Sequence, residues 1–218
     1  MPKIFIAMPC GGTVHAGQLL FFQEVRKIEK YADYITDINI ISSSRTTENR
    51  NRLVQKFLKT DYEWFLHIDA DTIPPLNLYD MIDNDKGVCS GVYYIWMDKK
   101  LSPLLMLRKG KTNHYYQFDG TVPDNQYLIE VDAVGGGNLL IKREVLERIK
   151  PPWFKDVYGD KEGIKRTLGN DFYFCQKAQA AGYKIYGDLR IYSNHMREVN
   201  LTEIHDWIRD NFIMKQWK

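Results

Sequence analysis

Apolar runs and amphipathic stretches alternate along the first third of the chain. KIFIAM is closed by Pro9 and the Gly11-Gly12 pair and reads as a buried strand running into a loop. From Ala16 to Lys30, Leu19, Leu20, Phe22, Val25 and Ile28 fall near helical spacing with charges between them. YITDINII predicts a second strand, TTENRNRLVQKFLK a helix starting near Thr46 or Thr47, and WFLHI a third strand. Strands alternating with helices predict βαβ units, hence an α/β fold whose mostly parallel central sheet is flanked by helices.

After Pro75 the pattern loosens. A short helix is expected over Leu76 to Ile82, a strand over Gly87 to Val92, and a small antiparallel part around KGKTN. YLIEVDAVGGGNLLI predicts strand broken by glycines, KREVLERI a helix, Lys155 to Gly169 a surface loop, and DFYFCQKAQAAGY a helix stopped by Gly182. A final amphipathic helix runs from Leu201 to Trp217. No repeat or linker divides the 218 residues, so one domain is expected, with a nucleotide-binding half (1–92), an acceptor and catalytic half (93–198) and a C-terminal helix (199–218).

Composition narrows the class. Apolar residues make up 44% and charged residues 27%, which excludes a disordered or fibrous chain. A net charge of +2 is too small to propose a nucleic-acid partner. Cys10, Cys89 and Cys175 lie far apart, suggesting neither zinc nor disulfides and favouring a reducing compartment. With no membrane-length apolar run and too short an apolar start for a secretory signal, a cytoplasmic protein is expected.

The chemistry gathers in EWFLHIDADTIPP, Glu63 to Pro75, where a strand runs straight into two carboxylates and stops at two prolines. In open α/β sheets ligands collect beyond the carboxyl ends of the strands. Extended backbone sends residues i and i+2 to one side, so Asp69 and Asp71 can face one Mg²⁺ or Mn²⁺ while Ala70 leaves room. A solvated strand-to-turn junction uses aspartate equally well. Arg45, Arg50, Asn51 and Arg52 surround a helix start, either as donors that meet a nucleotide or orient the strand carrying Asp69 and Asp71, or as a solvated face. Gly135, Gly136 and Gly137 bring backbone close to a sugar or form a bulge, and Tyr93, Tyr94, Trp96, Trp153 and Phe154 offer flat faces to sugar rings or fill the core. Lys155, Lys161, Lys165 and Arg166 can close over a diphosphate or simply be solvated.

TTENRNRLVQKFLKTDYEWFLHIDADTIPP, GVYY, VGGGNLLIKREVLERI and GNDFYFCQKAQAAGYKIYGDLRIYSNHM resemble, in that order, segments of GT-A glycosyltransferases, most similarly the small family 2-like members. The resemblance runs from about Lys3 to His195. It implies metal-dependent transfer of a hexose from a nucleotide diphosphate sugar, expected to be uridine-linked, to a hydroxyl of a saccharide or glycolipid acceptor. Pro9, Cys10 and Gly11 occupy the family's nucleotide-base loop. Asp69 maps near the ribose, Asp71 on the cation, and His195 returns to the metal. Asp171 is the implied general base of an inverting displacement, with Asn170 where the family has a commoner Glu; capping of the helix is its alternative role. Tyr94, Trp96, Trp153 and Asn170 are expected at the acceptor, and Gly136 and Gly137 at the donor.

Two other functions remain open in the sequence. A sugar-nucleotide nucleotidyltransferase shares GGT at Gly11 to Thr13 but would need basic residues where Val14, His15, Ala16 and Gly17 follow. A non-catalytic sugar-nucleotide-binding module would keep the fold alone. The last helix, with Leu201, Ile204, Ile208 and Phe212 on one side and Trp207, Ile213 and Trp217 elsewhere, carries more apolar surface than one face needs. Contact with a membrane surface or a second subunit is one expectation for it, and covering the core the other.

Overall fold

The structure, a computed structural model, describes residues 1–43, 45–97, 100–120, 122–159, 165–198 and 200–209. β1 (Lys3–Cys10) leads into α1 (Ala16–Val25), a 3₁₀ turn (Glu29–Tyr31) and β2 (Ile35–Ser42). α2 (Thr46–Phe57), β3 (Trp64–Ile68) and the two-residue β4 (Thr72–Ile73) follow. A 3₁₀ stretch (Leu78–Asn84) stands where a short α-helix was expected and ends at Asp85 in the left-handed region, φ 50°. Next come β5 (Val88–Val92), β6 (Tyr94–Met97), β7 (Lys100–Pro103), β8 (Leu105–Arg108), β9 (Tyr115–Gln117), β10 (Leu128–Val131), β11 (Ala133–Val134) and β12 (Asn138–Lys142). α3 (Arg143–Arg148), β13 (Val157–Tyr158), β14 (Arg166–Leu168), α4 (Asn170–Ala180), β15 (Ile185–Tyr192), β16 (Asn194–His195) and α5 (Leu201–Ile208) complete the described chain.

Seven strands form the central sheet in the order β10-β15-β5-β12-β3-β1-β2. Five run the same way; β12 and β10 run against them. Both faces are covered, because the inner strands are buried on both sides and must be apolar throughout, as IFIAM and WFLHI are. Leu53, Val54 and Phe57 of α2 pack on one face with Phe5, Phe65 and α4's Phe174. Phe21 and Val25 of α1 pack on the other with Ile4, Ile6 and Ile68.

α1 departs from its expected face. Gln18, Phe21 and Val25 are buried, whereas Leu19 and Leu20 are 67% and 62% exposed. Apolar residues run nearly all round this helix, so spacing alone could not choose the side that meets the sheet. The Lys155 to Gly169 segment contains a short antiparallel pair, β13 with β14, while Lys161 lies outside the described residues. So do Phe212, Ile213 and Trp217; the described part of the last helix packs Trp207 edge-to-face on Trp96 at 5.4 Å, and nothing supports a membrane or subunit contact. Among the described residues no helix is long and apolar enough to cross a membrane.

Candidate active site at the carboxyl edge of the sheet

A cleft of about 1360 Å³ opens where β1 and β3 end. Three features of the topology build it. The loop after β1 supplies Pro9 and Gly11 to Ala16. β12, running against its neighbours, starts at this edge with Asn138 opposite Ile68, so the glycines before it arrive beside Asp69, whose N–H donates to the Gly137 carbonyl at 3.2 Å. β15 ends here too, and its continuation β16 pairs with β4, setting His195 opposite Thr72.

Asp69 and Asp71 occupy different electrostatic settings. Arg50, 5% exposed, reaches from α2 and donates through Nη2 to both Asp69 oxygens, at 2.9 and 3.0 Å. Burial is the largest single influence and would raise the Asp69 carboxyl; the charge of Arg50, joined by His67 and by the hydrogen bond from Arg50, holds the group below its ordinary value. Arg50 in turn is held charged against its own burial by Asp69 and Asp171. Its Nη1 donates to Asn170 Oδ1, tying α2 to the start of α4. Behind them His67 is fully buried, and burial followed by repulsion from Arg50 lowers its pKa to about 4. The neutral ring donates from Nδ1 to the Gly136 carbonyl, because a carbonyl only accepts.

Asp71 faces the cleft instead. Its Oδ2 lies 3.4 Å from His195 Nε2 and 3.6 Å from Arg197 Nη1. A hydrogen bond with Asp71 raises the pKa of His195, whose other nitrogen donates to the Tyr94 carbonyl at 2.9 Å. Both Asp69 oxygens accept from Arg50, whereas Asp71 and His195 face each other, and no group of three or more His, Cys, Asp or Glu placed to hold a metal occurs among the described residues. Asp71 and His195 alone fit a hard cation that draws its remaining ligands from phosphate and water.

Asp171 also lines the cleft, in the first turn of α4, and burial raises its pKa with Arg50 partly offsetting the rise. The cap position belongs to Gly169, and Asp171 accepts the neighbouring N–H of Phe172, at 3.0 Å.

Several expected site residues are placed elsewhere. Asn51 does not reach the cleft: it donates to the Thr47 and Phe154 carbonyls and accepts from the N–H groups of Trp153 and Phe154, pinning that segment to α2. Trp153 is 5% exposed with its indole donating to the Leu146 carbonyl, so it belongs to the core and has no face for an acceptor. Arg45 points to solvent beside Glu48. Cys10 is buried below the loop, its thiol against Thr13 and Gly12. Gly136 and Gly137 lie behind the cleft, where a Cβ would fall 2.6 Å from Arg50 Nη2 and 2.8 Å from Tyr93 Cε1 respectively. They make room for the site's own side chains and not for a ligand. Tyr94 and Trp96 line a second groove of about 390 Å³ that shares His195 and Arg197 with the main cleft. Pro9, Gly11, Asp69, Ala70, Asp71, Asn170, Asp171 and His195 do share the cleft.

Residues the sequence reading passed over include His67, Arg197 and Gln18. Only Arg197 left a signal: it stands two residues after His195, close enough in the chain to reach the same place. Arg50→Met is expected to destabilise the fold by about 3 kcal/mol or more, since removing one partner of a buried pair strands the other. Urea unfolding of parent and variant measures it, and equal midpoints would count against Arg50 as the tie between α2, β3 and α4.

No protein-family description and no curated protein matches the chain. Among solved structures, the crystal structure of A197 from STIV matches with a TM-score of 0.61 and 22% identity, over 91% of this chain and 87% of that one. The crystal structure of GalNAc-T7 with UDP, GalNAc and Mn²⁺ also matches at 0.61, with 12% identity over 96% of this chain; the match spans only 48% of that protein. UDP-glucose pyrophosphorylase complexed with UDP-glucose gives 0.48 at 9% identity, too low to argue from. The likeness is one of fold, a mixed α/β domain of the GT-A kind.

Proposed function

We propose that this chain is a metal-dependent glycosyltransferase of the family 2-like type, moving a hexose from a uridine diphosphate sugar to a hydroxyl of a saccharide or glycolipid acceptor. One observation carries the reading: a single cleft at the carboxyl edge of a GT-A-like sheet is lined both by the Asp71–His195 pair and by the Asp171 carboxyl. In this reading residues 1–92 bind the nucleotide, 93–198 the acceptor, and 199–218 close the domain.

Each residue then has a definable task. The loop from Pro9 to Ala16 meets the base, and its glycines let backbone approach closely. Asp69, immobilised by Arg50, lies toward the ribose. Asp71 and His195 would hold Mn²⁺ or Mg²⁺, which would supply positive charge to offset that of a diphosphate leaving group. Arg166 and Arg197 add fixed positive charge at the same place. Asp171 accepts the proton of the acceptor hydroxyl as its oxygen bonds the anomeric carbon and the carbon–oxygen bond to the diphosphate breaks, the electron pair leaving on the β-phosphate. Attack opposite the leaving group inverts the anomeric centre. The groove of Tyr94 and Trp96 receives the acceptor beyond His195. Free cysteines, all three buried, are compatible with the reducing cytoplasm in which such donors would be met.

The test is a panel of nucleotide sugars screened by melting temperature with and without Mn²⁺, since a ligand that binds only the native state raises apparent stability. A metal-dependent rise with one uridine sugar, followed by nucleoside diphosphate release on an acceptor panel, is expected. Release of pyrophosphate would assign a nucleotidyltransferase, and saturable binding without turnover a binding module.

A further inference from the structure

The turn Asp69–Thr72 has all four backbone carbonyls engaged from outside the strand that carries it. Gln18 Nε2 donates to the carbonyls of Asp69, at 2.6 Å, and Thr72, at 2.7 Å. The His15 N–H donates to the Ala70 carbonyl at 3.2 Å, and the Met196 N–H to that of Asp71 at 2.8 Å. Three of these four anchors come from the first turn of α1 and the residue capping it.

We infer that Gln18 is a positioning residue for Asp71, and that through it the nucleotide-base loop and the cation-binding turn move as one unit. The inference rests on the functional reading above. Gln18 is completely buried. Its amide uses both hydrogens on two carbonyls, and the flipped amide would set Oε1 against those same oxygens, so its orientation is dictated. Oε1 itself is left buried without a partner among the described residues. A residue kept only to fill space would be leucine or methionine and would leave no such orphan. The two bonds to the turn are what glutamine adds. Because His15 and Ala16 also line the cleft, the segment that meets the nucleotide is hydrogen-bonded directly to the backbone on either side of Asp71.

Gln18→Met keeps length and removes both donors. UDP binding is to be titrated across Mn²⁺ concentrations and in EDTA. We expect the half-maximal Mn²⁺ concentration to rise about 10- to 100-fold, as for residues that orient a metal ligand, with UDP binding in EDTA unchanged. A folded Gln18→Met protein with the parental Mn²⁺ requirement overturns the inference, and so does equal loss with and without metal. Hydrogen exchange of the parent needs no variant to fold: Mn²⁺ alone is expected to slow the amides of His15 and Gln18 together with Thr72, and protection confined to Asp69–Thr72 would sink the idea. A parent that binds no UDP at any Mn²⁺ concentration would instead overturn the functional reading itself.

Discussion

An Asp71→Ala protein is expected to lose metal-dependent nucleotide binding while keeping its fold. The side chain is 38% exposed, so its removal costs little packing. It is nevertheless the carboxylate left to the cation beside His195, because Asp69 is bound at both oxygens by Arg50. Asp69 cannot take over without abandoning that pair. The loss should exceed the roughly 10- to 100-fold effect of a supporting residue. His195→Ala should weaken metal affinity less, since phosphate oxygen or water can fill a vacated position. Calorimetric titration of UDP with Mn²⁺ reads both, and parental binding by folded Asp71→Ala would remove Asp71 from the metal site.

Asp171→Asn is expected to retain a near-parental melting temperature and donor affinity but to lose at least about 100-fold in turnover, within the 10²- to 10⁴-fold span of general-base assistance. The structure separates the two roles this residue could play. Gly169 occupies the cap position, and asparagine can still accept the Phe172 N–H, so a helix-terminal role tolerates the change. Basicity cannot survive it. Burial has raised the Asp171 pKa, which makes the carboxylate a better proton acceptor than an exposed aspartate. Full turnover in the folded variant would take Asp171 out of the chemistry and withdraw the argument for inversion.

Strand and helix order along the first 70 residues was legible because parallel buried strands must be apolar on both faces, and IFIAM and WFLHI admit no other partner. The place of Asp69 and Asp71 at a strand's carboxyl end was legible for the same reason. Pairing was not. Nothing in GGGNLLI shows that β12 runs antiparallel between β3 and β5, yet that reversal is what delivers Gly136 and Gly137 to the back of the cleft. The apolar girth of α1 likewise concealed that Gln18, and not Leu19 or Leu20, faces the sheet.

The sequence by itself determined the α/β class, the cleft-forming edge and the residue types that meet there, since these follow from local periodicity and from which side chains can bear charge. Tertiary structure decided the division of labour among them. Asp69 and Asp71 are two residues apart and chemically identical, but an arginine from α2 claims one and a histidine from β16 faces the other. Asn51 and Trp153, which local pattern offered to a ligand, are used within the fold, the Asn51 amide on backbone groups of Thr47, Trp153 and Phe154 and the Trp153 indole on the Leu146 carbonyl. Contacts between segments tens of residues apart carry no periodic signature, so partner choice, burial and the pKa shifts that depend on them exist only once the sheet has closed its order.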